Sequence, residues 1–380
     1  MKILITSSIF PPEIGGPATF VYDLCNELKS KHEFKIITFG NEVKKSEDIK
    51  IINIKLNYPF LGTLFRQGKL LYEILKNGRN VDFIFAQCVY VTGLMSLIGA
   101  KLLRKKLILK YVGDPAWEFA FGNNETDLFL DDFLKLSKKS WKSKIQIRVQ
   151  KSVLKNVDKI IVPSEYLKKV IINNYKVREE KIRVIYNAIK DVQITQKKEK
   201  NEVIQITTIG RLVKWKNISG ILKAVSLIKD KKINLMIIGS GPEEENLREE
   251  ALNLGILEKV NFAGNLPHNE TLKRICGSDI FILNSFYEGL PHTIIEAMML
   301  KTPVIATNIS GTNEIAINNK TALLIEKNDE KDLVAKINKI IEDKELREKL
   351  VENGEKSVKK MFGFERLLNE YNEEFKKAGF

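Results

Sequence analysis

Short apolar segments alternate with amphipathic ones along nearly the whole length of this chain, and few folds can accommodate that pattern. Residues 18–28, for example, carry Val21, Leu24 and Leu28 at the spacing of one helix face. Such alternation predicts parallel sheets with helices on both faces. The predicted strands are 2–7, 34–39, 49–54, 83–86, 106–111, 159–163, 182–186, 203–209, 234–238, 260–262, 280–283, 303–306 and 322–324. The main predicted helices are 18–28, 61–76, 92–103, 135–155, 218–228, 243–254, 270–276, 291–300 and 329–360.

A polar segment at 190–202 divides the alternation into two series and predicts an interdomain linker. A length of 380 residues is ample for two domains. We therefore predict an α/β protein with two Rossmann-like α/β/α domains, 1–190 and 191–363, facing a central cleft. A C-terminal helix at about 364–380 is expected to pack back on the first domain. Ligands of such sheets bind outside the carboxyl ends of the strands.

The excess of positive over negative charge is confined to the first half of the chain. Residues 1–190 hold 33 Lys and Arg against 19 Asp and Glu, whereas residues 191–380 hold 29 of each. Segment 135–155 has eight cations and no acid, with Trp141, Ile145, Val149 and Val153 between them. This pattern predicts a basic amphipathic helix that suits an anionic membrane surface. A solvated helix face would give the same pattern, and no nucleic-acid motif is present.

The composition and the spacing of residues argue against several classes of protein and of site. The three cysteines (Cys25, Cys88, Cys276) and the three histidines (His32, His268, His292) have no disulfide-framework or metal-ligand spacing. The uncharged segment 83–100 divides into a strand and a helix rather than one membrane span, and the N-terminus does not resemble a secretory signal. We therefore expect a cytoplasmic protein that associates peripherally with the inner face of a membrane.

Two loops that follow predicted strands carry groups suited to phosphate. Gly15 and Gly16 precede the first helix, where backbone N–H groups and the helix dipole attract anions. Arg211 and Lys216 follow the first strand of the second series, and both can bind a diphosphate and stabilise a leaving group. A ligand-free glycine turn and surface ion pairing are the simpler interpretations of each loop alone.

Two further loops suit a nucleotide and a sugar. Gly241 lies in a strand–turn–helix segment that lacks both the Walker pattern and a completed GxGxxG. Glu288 and Glu296 follow the strand 280–283, in the turn before a helix and two turns inside it. Carboxylates in these places could each bind a pair of sugar hydroxyls, and the amides of Gly289 and Leu290 could face a hexose. A capping acid and a solvated helix acid would look the same.

Taken together, these segments resemble the retaining glycosyltransferases of family 4, which have the GT-B fold. The likeness extends from residue 1 to about 362 and rests on EGLPHTIIEAM, FPPEIGGPATF, GRLVKWKN and IIGSGPEEENL, in the family's order. The first of these matches the family's Glu-x7-Glu motif.

The resemblance implies a role for each matched residue. Glu296 would hold the ribose hydroxyls, and Glu288 with the amides of Gly289 and Leu290 would hold the donor sugar. The diphosphate would be bound by Arg211, Lys216 and the N-terminal glycine loop (Gly15, Gly16), with Gly241 contacting the nucleotide. Asp114 would stand where many relatives have a histidine near the reacting carbon. The family needs no metal or other cofactor.

These implications predict a retaining hexosyltransferase. Its donor would be a UDP-, GDP- or dTDP-sugar, and its acceptor a glycan or lipid-linked saccharide in cell-surface polysaccharide assembly. The basic half would contact the acceptor and an anionic membrane, and no nucleic acid is expected as a partner. The alternatives are a GT-B nucleotide-sugar epimerase and a non-catalytic nucleotide-sugar-binding subunit.

Overall fold

The computed structural model describes residues 1–13, 16–44, 46–55, 62–190, 194 and 202–379, apart from the side chain of Thr63. The chain forms two compact units. The N-terminal unit comprises Met1–Ile185 together with the C-terminal helix from Glu365, and the C-terminal unit is Tyr186–Phe364. Each unit is a parallel sheet flanked by helices, so the predicted pair of Rossmann-like folds is confirmed.

The N-terminal unit is built on a seven-stranded parallel sheet of order β3-β2-β1-β4-β5-β6-β7. The strand order reverses between β1 and β4, where Ile5 of β1 pairs with both Ile36 and Phe85. The central strands are buried on both faces, which explains their unbroken apolar sequences. The strands are β1 (Lys2–Ser7), β2 (Glu33–Phe39), β3 (Lys50–Ile54), β4 (Phe83–Ala86), β5 (Lys106–Lys110), β6 (Lys159–Val162) and β7 (Ile182–Val184).

The predicted helices at 18–28, 61–76 and 92–103 are present within one or two residues, whereas the helix Pro115–Gly122 was not predicted and the basic segment 135–155 differs from the prediction. The helices are α1 (Gly16–Leu28), α2 (Gly62–Asn77), α3 (Gly93–Leu103), α4 (Pro115–Gly122), α5 (Leu130–Lys135), α6 (Trp141–Asn156) and α7 (Glu165–Val170). The basic segment is therefore not one helix. Helix α5 ends at Lys135, and α6 starts after Ser140, whose hydroxyl accepts a hydrogen bond from the N–H of Ser143 at 3.1 Å.

The C-terminal unit has a six-stranded parallel sheet of order β10-β9-β8-β11-β12-β13. Its order also reverses once, between β8 and β11, which is the place where sheets of this kind bind ligands. The strands are β8 (Ile204–Ile209), β9 (Ile233–Ile238), β10 (Val260–Gly264), β11 (Ile280–Leu283), β12 (Val304–Thr307) and β13 (Leu323–Ile325).

The predicted long helix at 329–360 is two helices. Asp343 separates them because its carboxylate caps the second, accepting from the N–H of Leu346 at 2.9 Å. Pro291, predicted inside a helix, is the residue before it. The helices of this unit are α8 (Ile218–Leu227), α9 (Glu244–Asn253), α10 (His268–Cys276), α11 (His292–Met299), α12 (Ser310–Asn313), α13 (Glu330–Glu342) and α14 (Lys344–Met361).

The last helix, α15 (Phe364–Gly379), packs its aromatic residues on the N-terminal unit. The Phe375 ring lies 5.4 Å from the Phe83 ring, and the Tyr371 ring lies 6.0 Å from the Phe85 ring, between centroids. Tyr371 and Phe375 are fully buried. The chain therefore returns to its first sheet after completing the second.

The uncharged segment 83–100 forms β4 and most of α3. Within the described ranges, no helix combines the length and apolar character needed to cross a bilayer.

Candidate active site

Two loops meet at the reversal point of the C-terminal sheet. Lys216, in the loop after β8, places its Nζ 2.5 Å from Oε1 of Glu288, in the loop after β11. The side chains are 19% and 11% exposed, so the ion pair is largely withdrawn from water. A backbone bond from the N–H of Phe286 to the carbonyl of Trp215, at 2.7 Å, holds the two loops together. The sequence predicted both residues for one site, and the structure brings them into direct contact.

Close backbone contacts fix the neighbouring loops. A Cβ on Gly241 would lie 2.3 Å from the carbonyl oxygen of Leu212, and one on Gly311 would lie 2.0 Å from that of Glu288. Only glycine fits such approaches. Gly241 therefore fixes the loop after β9 against the Arg211–Lys216 loop, and Gly311 supports the Glu288 loop from the side of β12.

Glu296 lies inside α11 with its side chain 11% exposed. Its Oε1 is 2.8 Å from Nε2 of His268, the first residue of α10. Because a carboxylate only accepts hydrogen bonds, Nε2 carries the proton and donates it. No sequence pattern indicates that His268 pairs with Glu296, because the contact arises from the packing of α10 on α11.

The other predicted residues of this unit lie on the same loops. Arg211 is exposed at the start of the Lys216 loop, and its guanidinium makes no ion pair within the described part of the chain. Gly289 and Leu290 precede α11, with the Leu290 side chain buried in the core. The loops after β8 and β11 thus carry cations and a carboxylate at one edge of the sheet.

Asp114, which the resemblance places near the reacting carbon, is enclosed within the N-terminal unit. Its carboxylate is fully buried and caps α4, accepting from the N–H of Trp117 at 3.0 Å. It also accepts from Tyr111, Gln150 and Tyr175. Burial raises the pKa of Asp114, while these four hydrogen bonds act in the opposite direction. This enclosure favours a structural role for Asp114, and its place near the reacting carbon stays a prediction.

The N-terminal glycine loop is described only in part. Gly16 is the first residue of α1, and a Cβ there would meet no atom within 4 Å, so space at this helix start is open. Gly15 lies outside the described residues. Among the described residues, no cluster of three His, Cys, Asp or Glu side chains has the arrangement of a metal site.

Comparison with known proteins assigns the chain to a family. The model of glycosyl transferases group 1 matches residues 189–357, and that of glycosyltransferase family 4 matches residues 14–192. The uncharacterized glycosyltransferase MJ1178 of Methanocaldococcus jannaschii is 30% identical, over 97% of this chain and 96% of its own length. The chain belongs to the group 1 and family 4 glycosyltransferases. It is therefore a transferase enzyme.

Two other proteins similar to this glycosyltransferase extend the comparison. The alpha-monoglucosyldiacylglycerol synthase of Streptococcus pneumoniae is 27% identical over 80% of this chain and 71% of its own length. The crystal structure of Anabaena Alr3699/HepE in complex with UDP and glucose has a TM-score of 0.80 at 17% identity. It covers 99% of this chain and 100% of that one, and the likeness confirms the GT-B fold class.

Proposed function

We propose that this glycosyltransferase moves a hexose, with retention of configuration, from a nucleotide-diphosphate sugar to a glycan or lipid-linked saccharide. The observation that carries the proposal is the Lys216–Glu288 contact at the reversal point of the C-terminal sheet. It joins a cation suited to a diphosphate and a carboxylate suited to sugar hydroxyls, at the edge where such sheets bind ligands. The UDP and glucose of the HepE complex and the lipid product of the pneumococcal relative point to the same substrate classes.

In this proposal the C-terminal unit binds the donor and the N-terminal unit the acceptor. Arg211 and Lys216 bind the diphosphate, as a two-pronged donor and a point charge respectively. Glu288, held in place by Lys216, accepts hydrogen bonds from the donor sugar, beside the amides of Gly289 and Leu290.

The remaining donor contacts follow the loops of each unit. Glu296 accepts from the ribose hydroxyls, and the Gly241 turn contacts the nucleotide. The loop of Gly15 and Gly16 supplies backbone N–H groups to phosphate at the start of α1.

The reaction requires little from the protein beyond positioning and charge. The bond from the anomeric carbon to the diphosphate oxygen breaks, and the acceptor oxygen bonds to the same face of that carbon. The acceptor proton passes to the leaving diphosphate, whose growing negative charge Arg211 and Lys216 stabilise. We assign no step to a metal or other cofactor.

A panel of UDP-, GDP- and dTDP-sugars tests this function. The matching donor, at a hundredfold its Kd, should add about 2.7 kcal/mol to the free energy of unfolding and raise the melting temperature. That donor, incubated with a saccharide acceptor, should give a product whose anomeric configuration, read by proton NMR, equals the donor's. Epimerised donor formed without acceptor, or binding without any transfer, would contradict the proposal.

We also propose that α6 associates with an anionic membrane surface. Its outward face carries Lys142, Lys144 and Arg148 with Trp141, which is 69% exposed, and Ile145. The predicted apolar stripe is divided, because Val153 at the other end of the helix is fully buried. An exposed tryptophan surrounded by exposed cations is typical of a helix that lies at a membrane interface.

Flotation with vesicles of anionic and of neutral lipid tests the membrane proposal. The triple variant K142Q/K144Q/R148Q should lose of order a hundredfold in affinity for anionic vesicles, at about 1 kcal/mol per cation. A matched variant in α14, K344Q/K349Q/K360Q, removes the same charge from exposed positions of the other unit and should bind as the parent does. Equal losses in the two variants, or no preference for anionic lipid, would reject this surface.

A further inference from the structure

His268 contacts the carboxylate to which we assign the ribose hydroxyls. Its Nε2 is 2.8 Å from Glu296 Oε1, and it is the one side-chain hydrogen-bond partner of Glu296 within the described ranges. The exposure of the two side chains differs sharply, 61% for His268 and 11% for Glu296. The imidazole therefore stands at the solvent side of a carboxylate that is otherwise enclosed.

The backbone of His268 is held firmly. Pro267 precedes it, and the carbonyl of Pro267 accepts from both the N–H and the hydroxyl of Thr271, at 2.9 and 3.2 Å. Just before Pro267 in the chain, Asn265 donates its side-chain N–H to the hydroxyl of Ser240, in the loop after β9, at 2.8 Å. The start of α10 is thus tied both to its own first turn and to the neighbouring loop.

The hydrogen-bonding capacity of Glu296 allows it to bind His268 and a ribose together. A carboxylate has about four acceptor positions. One is taken by His268, and two of the rest suffice for two vicinal hydroxyls. Fixing one oxygen limits the rotation of the side chain, so less ordering is required when the hydroxyls bind.

We propose that His268 is a positioning residue for nucleotide binding: its Nε2–H holds the Glu296 carboxylate in the orientation that accepts the ribose hydroxyls. The inference rests on the proposed function of Glu296 and extends it to a residue outside the four matched motifs. In this role His268 strengthens nucleotide binding only when the nucleotide carries the ribose hydroxyls. A merely structural role would strengthen binding with or without those hydroxyls.

A comparison of ribo- and dideoxynucleotides tests this dependence. Affinities for UDP and 2′,3′-dideoxy-UDP, and for GDP and 2′,3′-dideoxy-GDP, are measured calorimetrically on the full chain. With the diphosphate that binds better, H268A should weaken binding about fivefold to tenfold, as expected for one hydrogen bond. Its affinity for the dideoxy form should change less than twofold. H268Q, which can place an N–H near the position of Nε2, should recover most of the loss.

The controls separate failure of this inference from failure of the proposed function. E270Q alters an exposed acid on the same helix that pairs with Lys273, and it should leave both affinities unchanged. If E296Q abolishes the preference for the ribonucleotide while H268A lowers both affinities equally, the role of His268 is overturned and the function stands. If the parent protein shows no preference for the hydroxyls, or E296Q keeps it, the ribose site itself is rejected.

Discussion

At the scale of single residues, the site depends on one ion pair formed across 72 positions of sequence. Lys216 and Glu288 are both mostly buried, so neither charge is well solvated without the other. Removing one partner of a buried ion pair lowers stability more than removing both partners, because it leaves an unpaired buried charge. The pair therefore stabilises the two loops as well as carrying the proposed chemistry.

Replacing Lys216 and Glu288, singly and together, tests whether the two side chains are energetically coupled. We expect the single variants K216M and E288Q each to lower the free energy of unfolding, K216M by about 2 kcal/mol. The free energy of unfolding lost by the double variant should be smaller than the sum of the losses in the two single variants. Urea denaturation of the four proteins gives the coupling energy. Strict additivity would contradict the contact.

D114A should affect folding rather than catalysis. It removes a helix cap and leaves the donors of Gln150 and Tyr175 without their acceptor in the core, so we expect a loss of about 3 kcal/mol of stability. Turnover per folded molecule, measured below the melting temperature, should stay within about threefold of the parent's. A loss of turnover by a hundredfold in fully folded D114A would restore the catalytic role that sequence resemblance implies.

The sequence predicted which loops hold the site better than it predicted individual contacts. Lys216 and Glu288 could be predicted for the candidate site because each lies in the loop after a strand, and strand ends converge at one edge of a sheet. Asp114 also follows a strand, but its enclosure depends on Gln150 and Tyr175, which reach it only through packing. Local sequence carries no signal for that packing.

At the scale of elements, α15 is the most informative. His32, at the turn before β2, places Nε2 2.8 Å from Oδ1 of Asn372 and its ring 5.8 Å from that of Phe375. Its Nδ1 is buried without a hydrogen-bond partner in the described structure. Burial lowers the pKa of His32, and the N-terminal amino group, Lys31 and Lys376 lower it further, against the opposing hydrogen bond of Asn372. The docked helix therefore favours the neutral imidazole.

The sign of this shift predicts weaker docking of α15 in acid. The stabilisation of docked α15 by neutral His32 is complete above the ordinary histidine pKa of about 6.5. It falls as the pH drops from there toward the lower pKa of His32 in the folded state. Amide exchange of residues 365–379, corrected for intrinsic rates, should quicken between pH 7.5 and pH 5.5. H32Q keeps a side-chain N–H but does not titrate, and it should abolish this pH dependence. An unchanged dependence in H32Q would assign the effect to another group.

Element boundaries were the weaker part of the prediction. The basic segment 135–155 and the segment 329–360 both continue the helical pattern, yet each is interrupted by a residue that caps the next helix. Ser140 and Asp343 are common capping types, and both are visible in the sequence. Periodicity alone could not show them, because it persists through a short break in the helix.

At the scale of the whole molecule, the two series of strands became two separate sheets, and the chain end belongs to the first. The fold class was predictable because it needs only the order of strands and helices. We also expected the helix at about 364–380 to pack back on the first domain, but the order of strands and helices alone does not imply this, since it depends on aromatic side chains of α15 that contact the first sheet.

Truncation after Phe364 should therefore damage one unit selectively. Burying each of Leu367, Tyr371 and Phe375 contributes about 1.5–3 kcal/mol, so their loss should lower the melting temperature of the N-terminal unit by about 10–35 °C. In hydrogen exchange, β4 should lose protection while β8 and β11 keep theirs. Equal loss of protection in both sheets would contradict the division into these units.

Single-turnover transfer by E288Q, compared with its affinity for the nucleoside diphosphate, is the decisive test of the role proposed for Glu288. We predict that transfer slows by a hundredfold or more, as for loss of a group acting in the transition state, whereas the diphosphate Kd changes less than about threefold. The exposed acid Glu258 offers a matched control, and E258Q should change neither quantity. Transfer by E288Q at the parent's rate would contradict the claim that Glu288 holds the sugar during transfer.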